Sequence, residues 1–451
     1  MIDIKIRPEK AIFILLLFWI AACHAGTLTL PEAQRLLFNN NRDVQIAEMR
    51  YLKSLVDVTE AKSSYYPTAE TFASYSYQSK ANRLQVDQEL TGIIPMLNPG
   101  MEDRPIPLHL DNTVGDFDRF EWGVDISFPL FTGFSRRNSV LAKQASSTVY
   151  CHSLASTKDM LSVRLGLLYF QWELSLKKLE VQQAFIDQVS EYVVQMTNLY
   201  NSGVEPRSKV LEASARLEAS KVELLSAQSA VDSIRLEIID FLRIADTIDM
   251  PKAYPYELSA QVIESRPRPY RTEIVIIDST LSSLRLSERA LLGKRFPQLF
   301  VMAGYRVGNP GIIMGGDEFI DWGVAGLQLR WTLYDGQKNW AQREQIRHEI
   351  DILRKEREKQ LATWEKTAAV YRLQIEKAHR MKTAAELSQK AAEAFAADLK
   401  NALSAGMVSP TEYLNALAAA SQARFKVAQA ETFRKSVSLQ LAYALGETIE
   451  F

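Results

Sequence analysis

The sequence lacks most of what marks an enzyme, a disulfide scaffold or a nucleic-acid-binding protein. Its 451 residues contain two cysteines, Cys23 and Cys151, so no disulfide framework is expected, and Cys151 reads as a packed helix residue. Five histidines (His24, His109, His152, His348 and His379) show no metal-ligand spacing with one another or with a cysteine, so no metal is expected. There is no Gly-x-Ser-x-Gly, phosphate loop or dinucleotide fingerprint; neither a cofactor nor a catalytic activity is expected. Lys and Arg number 53 against 54 Asp and Glu, a net charge of −1, and the carboxylates sit on helix faces beside Lys and Arg as on a solvated surface. No basic face marks a nucleic-acid partner. Beyond the N-terminal leader no stretch offers eighteen consecutive apolar residues, so no membrane-spanning helix is expected.

The leader, residues 1–25, has the form of a secretory signal: Lys5, Arg7 and Lys10 precede an apolar run from Ala11 to Ala22, and small residues follow. Two cleavage schemes compete. Ile20-Ala21-Ala22-Cys23 fits a lipoprotein box that would leave Cys23 acylated, whereas Cys23-His24-Ala25 before Gly26 fits an ordinary cleavage site. A lipidated Cys23 would have an arm of only roughly 20 Å before the first helix, which favours the ordinary site. Both schemes export the protein.

What is present is a pattern that occurs twice. Phe120 to Gly133, FEWGVDISFPLFTG, alternates with period two: Phe120, Trp122, Val124, Ile126 and Phe128 share one face, and Glu121, Gly123, Asp125 and Ser127 the other. A strand of about ten residues, apolar on one side, polar on the other and flanked by aromatics, has the form of a membrane-spanning barrel strand. Asp321 to Gly336, DWGVAGLQLRWTLYDG, repeats the motif. Because Trp322 and Gly336 are further apart than Trp122 and Gly133, and because the apolar face switches between Val324 and Leu327, a β-bulge is expected near Ala325-Gly326. Trp122, Phe131, Trp322 and Tyr334 fit an aromatic girdle at the lipid interface.

Around these strands the chain reads as helix. A first helix opens at Thr29-Leu30-Pro31-Glu32, with Thr29 as N-cap and a break near Asn39 to Asn41, and ends at Tyr66-Pro67. A strand over about 69–78 follows, then a long loop over 80–118 and a strand at about 119–131. From Ser135 to about Tyr200, Leu161, Leu165, Leu168, Trp172 and Val189 keep one seam in steps of three and four, which makes a rod of roughly 100 Å. Asn201-Ser202-Gly203 breaks it and Pro206 opens a return helix to about Ala245, so that the hairpin 135–245 has its tip at 201–206. Residues 251–451 repeat the plan. After a Pro251–Pro255 connector and a helix over 257–293 come strands at about 298–307 and 319–333, joined by a Gly-rich turn, and a hairpin 337–445 with its tip at 402–410. The expected fold is therefore an α+β membrane protein, a duplicated helix-strand-strand-long helix-helix unit, with residues 26–250 and 251–451 as the two repeats.

This order of features resembles the TolC family of bacterial outer-membrane efflux and secretion channels, from Leu28-to-Ala33 through Pro67 and Pro297, FPLFTG and WTLYDG, to the two Gly-containing tips. The resemblance implies a homotrimer in outer-membrane lipid whose three sets of four strands form a twelve-stranded barrel, continued by a helical periplasmic tunnel. Chain physics also asks for an oligomer, because four strands cannot close a barrel and open edges are not tolerated in lipid. The implied activity is passive export of substrates delivered by an inner-membrane pump or ABC exporter through a periplasmic adaptor. The adaptor would meet the tips, at Gly203, Val204 and Pro206 and at Gly406, Met407, Val408 and Pro410. The family's two acidic constriction positions fall on Glu412 and Asn415, so a double carboxylate ring does not carry over; Glu412 can equally be a first-turn glutamate favoured by the helix dipole. An ion pair between Glu412 and Lys209 of a neighbouring hairpin would hold the tunnel shut. The rival expectation is a periplasmic coiled-coil scaffold or adaptor that never inserts.

Overall fold

The structure, a computed structural model, describes residues 28–451 apart from 78, 80–82, 92–101, 103–104, 114–117, 245–255, 257–262, 264, 266, 269–270, 310–317 and 406. The leader with Cys23, the Pro251–Pro255 connector, most of the Gly-rich turn after 307 and tip residue Gly406 lie outside the described residues. The elements in order are α1 (Leu30–Asn40), α2 (Arg42–Ser63), β1 (Thr68–Tyr77), β2 (Arg83–Leu90), β3 (Ile106–Thr113), β4 (Asp118–Phe131), α3 (Ser135–Asn201), α4 (Arg207–Leu242), α5 (Thr272–Gly293), β5 (Gln298–Asn309), β6 (Ile320–Arg330), α6 (Lys338–Ser404) and α7 (Pro410–Leu445). The chain divides into two compact units. One comprises 54–147 and 280–352; the other comprises residues up to Lys53, 148–279 and 353–451.

The first unit carries a four-stranded antiparallel sheet in the order β1-β4-β5-β6. Proline and glycine set its corners. Gly133 sits at φ +60°, and a Cβ there would lie 2.2 Å from the carbonyl oxygen of Gly293. Only a hydrogen fits, and so the start of α3 closes on the end of α5. Arg136, the second residue of α3, donates to the carbonyls of Ser64 (3.0 Å) and Leu130 (3.4 Å) and stacks on Tyr65, tying the strand ends together.

Two expectations fail here. Residues 80–118 are not all loop, because β2 and β3 form a separate two-stranded sheet in which Val86 faces Leu110 and Leu90 faces Ile106. Nor is there a bulge at Ala325-Gly326. The β5–β6 register runs unbroken from Gly308↔Ile320 to Gln298↔Arg330, and the irregularity falls instead between Pro129 and Phe131 of β4. Proline has no N–H for the ladder, which makes Pro129 a physical cause for that shift.

The second unit is helical. Thr29 caps α1 through a reciprocal box with Glu32. The predicted seam of α3 is its core: Leu161, Leu165, Leu168 and Trp172 pack with Leu30, Leu37, Val44, Ile238 and Leu242. Each fully buried leucine contributes about 2 kcal/mol by transfer from water. Gln34, buried, donates to Ser162 Oγ at 2.8 Å and to the carbonyl of Ile449 at 2.6 Å, and so anchors the C-terminal segment. Cys151 is exposed on α3 rather than packed. No described helix is long and apolar enough to cross a membrane.

Candidate functional site

Directly paired strand residues point to the same side of a sheet, so the register assigns two faces. On one lie Ala73, Tyr75, Phe120, Trp122, Val124, Ile126, Ala303, Val307, Leu327 and Leu329. On the other lie Glu70, Ser74, Glu121, Asp125, Ser127, Arg306, Gln328 and Arg330. The first face is thus largely apolar; the second gathers most of the charged residues, together with Phe72, Phe300, Met302, Trp322 and Val324. Among the described residues β1 and β6 have no strand partner on their outer edges. On the apolar face Leu327 and Leu329 are 70% and 67% exposed.

The polar face centres on Arg306. It donates to Glu121 at 3.1 Å, faces Asp125 at 3.4 Å and lies over the ring of Phe72. Gly123 leaves the room: a Cβ there would meet Phe72 at 3.0 Å and the Arg306 side chain at 3.1 Å. Trp322 belongs to this face, paired with Arg306 and set against Gly308. It therefore does not share the girdle face of Trp122; with no bulge at Ala325, the alternation carries it to the opposite side. Phe131 stacks edge-on against Phe134 (5.6 Å), and Tyr334, past the end of β6, is 80% exposed. Sequence reasoning missed Arg306, although a lone arginine on the small-residue face of β5 (Met302, Gly304, Arg306, Gly308) was the available signal.

At the first tip Gly203 takes φ +75°, and the N–H groups of Gly203 and Val204 donate to the carbonyls of Tyr200 and Leu199, closing the end of α3. Val204 is exposed, and Pro206 caps α4 without a side-chain bond. At the second tip Met407 N donates to Ala402 O at 2.9 Å, Met407 is 75% exposed, Val408 packs against the core beneath, and Pro410 is buried. That core brings Tyr192 of α3 against Tyr413 of α7, with ring centroids 5.9 Å apart.

Glu412 closes a capping box with Ser409: its carboxylate accepts from Ser409 N at 3.1 Å, and its own N–H donates to Ser409 Oγ at 3.3 Å. Glu412 and Asn415 are exposed on one face of α7. Lys209 is not available to Glu412 within the chain. Its Nζ donates to Glu212 at 2.9 Å and to Thr411 at 3.3 Å, while Thr411 donates to Glu212 at 2.9 Å. The bonds from Lys209 and Thr411 hold the Glu212 carboxyl below its usual range. A glutamate one turn away on the same helix wins the lysine because that pairing orders the fewest residues.

Elsewhere in the helical unit a buried arginine organises the packing. Arg271 lies 3.7 Å over the ring of Trp364, pairs with Glu273 at 3.0 Å and donates to the carbonyl of Tyr443. Asp159 nearby is pushed up to about 6, first by burial and then by Glu273. Among the described residues no group of His, Cys, Asp and Glu could hold a metal ion.

A two-faced sheet with open edges, joined in sequence to paired long helices, suits a chain that supplies strands to a shared membrane barrel. The sequence matches the outer membrane efflux protein family over residues 34–242 and 293–447, and the chain belongs to that family. Solved structures share the fold. VceC, an outer membrane protein of Vibrio cholerae, is 14% identical over 93% of this chain and 96% of its own, with a TM-score of 0.71. The outer-membrane channel OprN is 17% identical over 92% and 89%, with a TM-score of 0.69. The open state of the Neisseria gonorrhoeae MtrE outer membrane channel is 14% identical over 93% and 89%, with a TM-score of 0.70. No curated protein matches in sequence. The protein is an outer-membrane efflux channel, and the scaffold alternative is not favoured.

Proposed function

We propose that three copies of the chain join β1 to β6 around a ring, closing twelve strands into one barrel with the polar face lining the lumen. The helical hairpins line a periplasmic tunnel through which substrates pass without energy input from this protein. A periplasmic adaptor docks on the tip residues Gly203, Val204, Pro206, Gly406, Met407 and Val408, with Pro410 fixing the second tip, and links the channel to an inner-membrane pump or ABC exporter. Glu412 and Asn415 face the tunnel constriction, one carboxylate oxygen of Glu412 serving the helix cap. Trp122, Phe131 and Tyr334 form the aromatic girdle. The repeats 26–250 and 251–451 each supply two strands and one hairpin to this assembly.

The observation that carries this proposal is the sheet itself: largely apolar on one face, with most of its charges gathered on the other, and with two open edges among the described residues. In lipid an unpaired edge is too costly to persist, and four strands are too few to enclose a lumen. The test is planar-bilayer conductance of the purified protein together with its mass in detergent. Discrete openings from a species of three chains are expected. A monomer that neither inserts nor conducts overturns the proposal.

A further inference from the structure

Immediately beyond the last paired residues of β4, β5 and β6 lies a groove of about 680 Å³, lined from three separate junctions: 132–136, 294–298 and 332–342. Its charges are one-sided. Arg136 is engaged by backbone carbonyls, and the only lining carboxylate, Asp335, is used by the start of α6, where it accepts from Asn339 N at 2.9 Å. Lys294, Arg295 and Lys338 also line it, are exposed, and have no ion-pair partner among the described residues. Beside them stand exposed groups of another kind: Leu333 at 79%, Tyr334 at 80% and Trp340 at 60%. The frame is fixed, since Trp331 Nε1 donates to the carbonyl of Arg295 at 3.1 Å and Asn339 to that of Leu291 at 2.8 Å.

We propose that this groove binds the phosphate headgroup of an anionic phospholipid in the periplasmic leaflet of the outer membrane. Three cations without an ion-pair partner among the described residues, and no free carboxylate beside them, favour a net-anionic phosphate headgroup over a zwitterionic one, whose phosphate brings its own cation. The apolar and aromatic side chains around them suit a ligand whose other end is hydrocarbon, because Trp and Tyr settle where water meets acyl chain. A soluble anion would use the lysines and gain nothing from Leu333 and Trp340. Position agrees: the strands end here, and the sheet's apolar band with them. The inference rests on the outer-membrane barrel proposed above.

The test is native mass spectrometry of the full-length protein, titrated with phosphatidylglycerol, phosphatidylcholine or inorganic phosphate, for wild type and a K294A/R295A/K338A variant. Wild-type trimers are expected to hold phosphatidylglycerol in preference to phosphatidylcholine. In the variant, phosphatidylglycerol affinity is expected to fall roughly a hundredfold, each cation near an anionic lipid being worth several-fold. A K294R/K338R variant, with charge kept, should bind like wild type. Equal binding of phosphatidylglycerol by wild type and the alanine variant overturns the proposal. So does phosphate binding alone, which would make the groove a site for free anions. An alanine variant that stays monomeric while the arginine variant assembles also overturns it, by showing the groove to be a subunit contact. Wild type that forms no inserted trimer refutes the barrel instead, and the same spectra distinguish that result.

Discussion

Arg306 of β5 and Glu121 of β4 share a bond of 3.1 Å on the polar face, between strands far apart in sequence. Arg306 is the cation holding Glu121 and Asp125 together, and Glu70 is the cross-strand partner of Asp125. Replacing Arg306 by Gln leaves these carboxylates without it. The expected result is a reversal potential in asymmetric KCl shifted toward cations, with stability lowered by about 1 kcal/mol. Unchanged selectivity in a channel that still conducts would mean that this face does not line the pore.

Ser409 and Glu412 serve one helix end. Ser409→Ala removes the acceptor for Glu412 N–H and should cost about 1 kcal/mol, read as faster hydrogen exchange at Glu412 and Tyr413. Glu412→Gln keeps an acceptor oxygen and should exchange more slowly than Ser409→Ala. If Glu412→Gln also reduces cation preference in bilayers, its carboxylate faces the tunnel.

Asp159 sets a pH dependence of unusual sign. Its carboxyl titrates at about 6 in the folded chain, against about 3.9 when unfolded. The unfolded state therefore releases this proton first, and the group opposes folding wherever it is ionised. Stability from this site should rise as pH falls from about 6 toward 4 and stay level outside that window. Asp159→Asn should raise the melting temperature at pH 7, the gain disappearing below pH 4. A variant no more stable than wild type at pH 7 would show Asp159 to be fully solvated.

Gly293→Ala tests the helix junction. Its Cβ would lie 2.5 Å from Gly133 O and 2.7 Å from Ser135 N, both backbone atoms unable to yield locally. A loss of about 2 kcal/mol is expected. Gly336→Ala, with no neighbour within 4 Å and only a positive φ against it, should cost about 1 kcal/mol. Thermal melts of the two variants give the comparison.

Much of this was legible because it is local. Alternation gave β1, β4 and β5, steps of three and four gave the α3 seam, and Thr29-Leu30-Pro31-Glu32 announced its own helix start. What was not legible depended on partners. The additional residues between Trp322 and Gly336 leave β6 regular and fall past Arg330, where an edge strand with one neighbour simply stops pairing. In β4 the FPLF stretch runs past the last β1 pair, at Ser127, yet keeps pairing with β5 as far as Phe131. That difference put Trp322 on the polar face. The hairpin β2–β3 was hidden among prolines and charges, and its apolar stripe of Val86, Leu90, Ile106, Leu108 and Leu110 shows only once the two strands are aligned. The expected pair of Lys209 with Glu412 was between neighbouring hairpins; within the chain Lys209 is held by Glu212, one helical turn away.

The free edges of β1 and β6 have a genetic consequence. In the proposed ring of three, a copy whose β6 cannot pair breaks one of the three β1–β6 seams, and a single open seam leaves the barrel unclosed. A proline placed in mid-β6, where its missing N–H is needed by a neighbour, would therefore be felt by every assembly that contains it. When such a chain is made beside the normal one, the intact fraction falls as the cube of the normal chain's share. A single defective allele should behave as dominant over its wild-type counterpart.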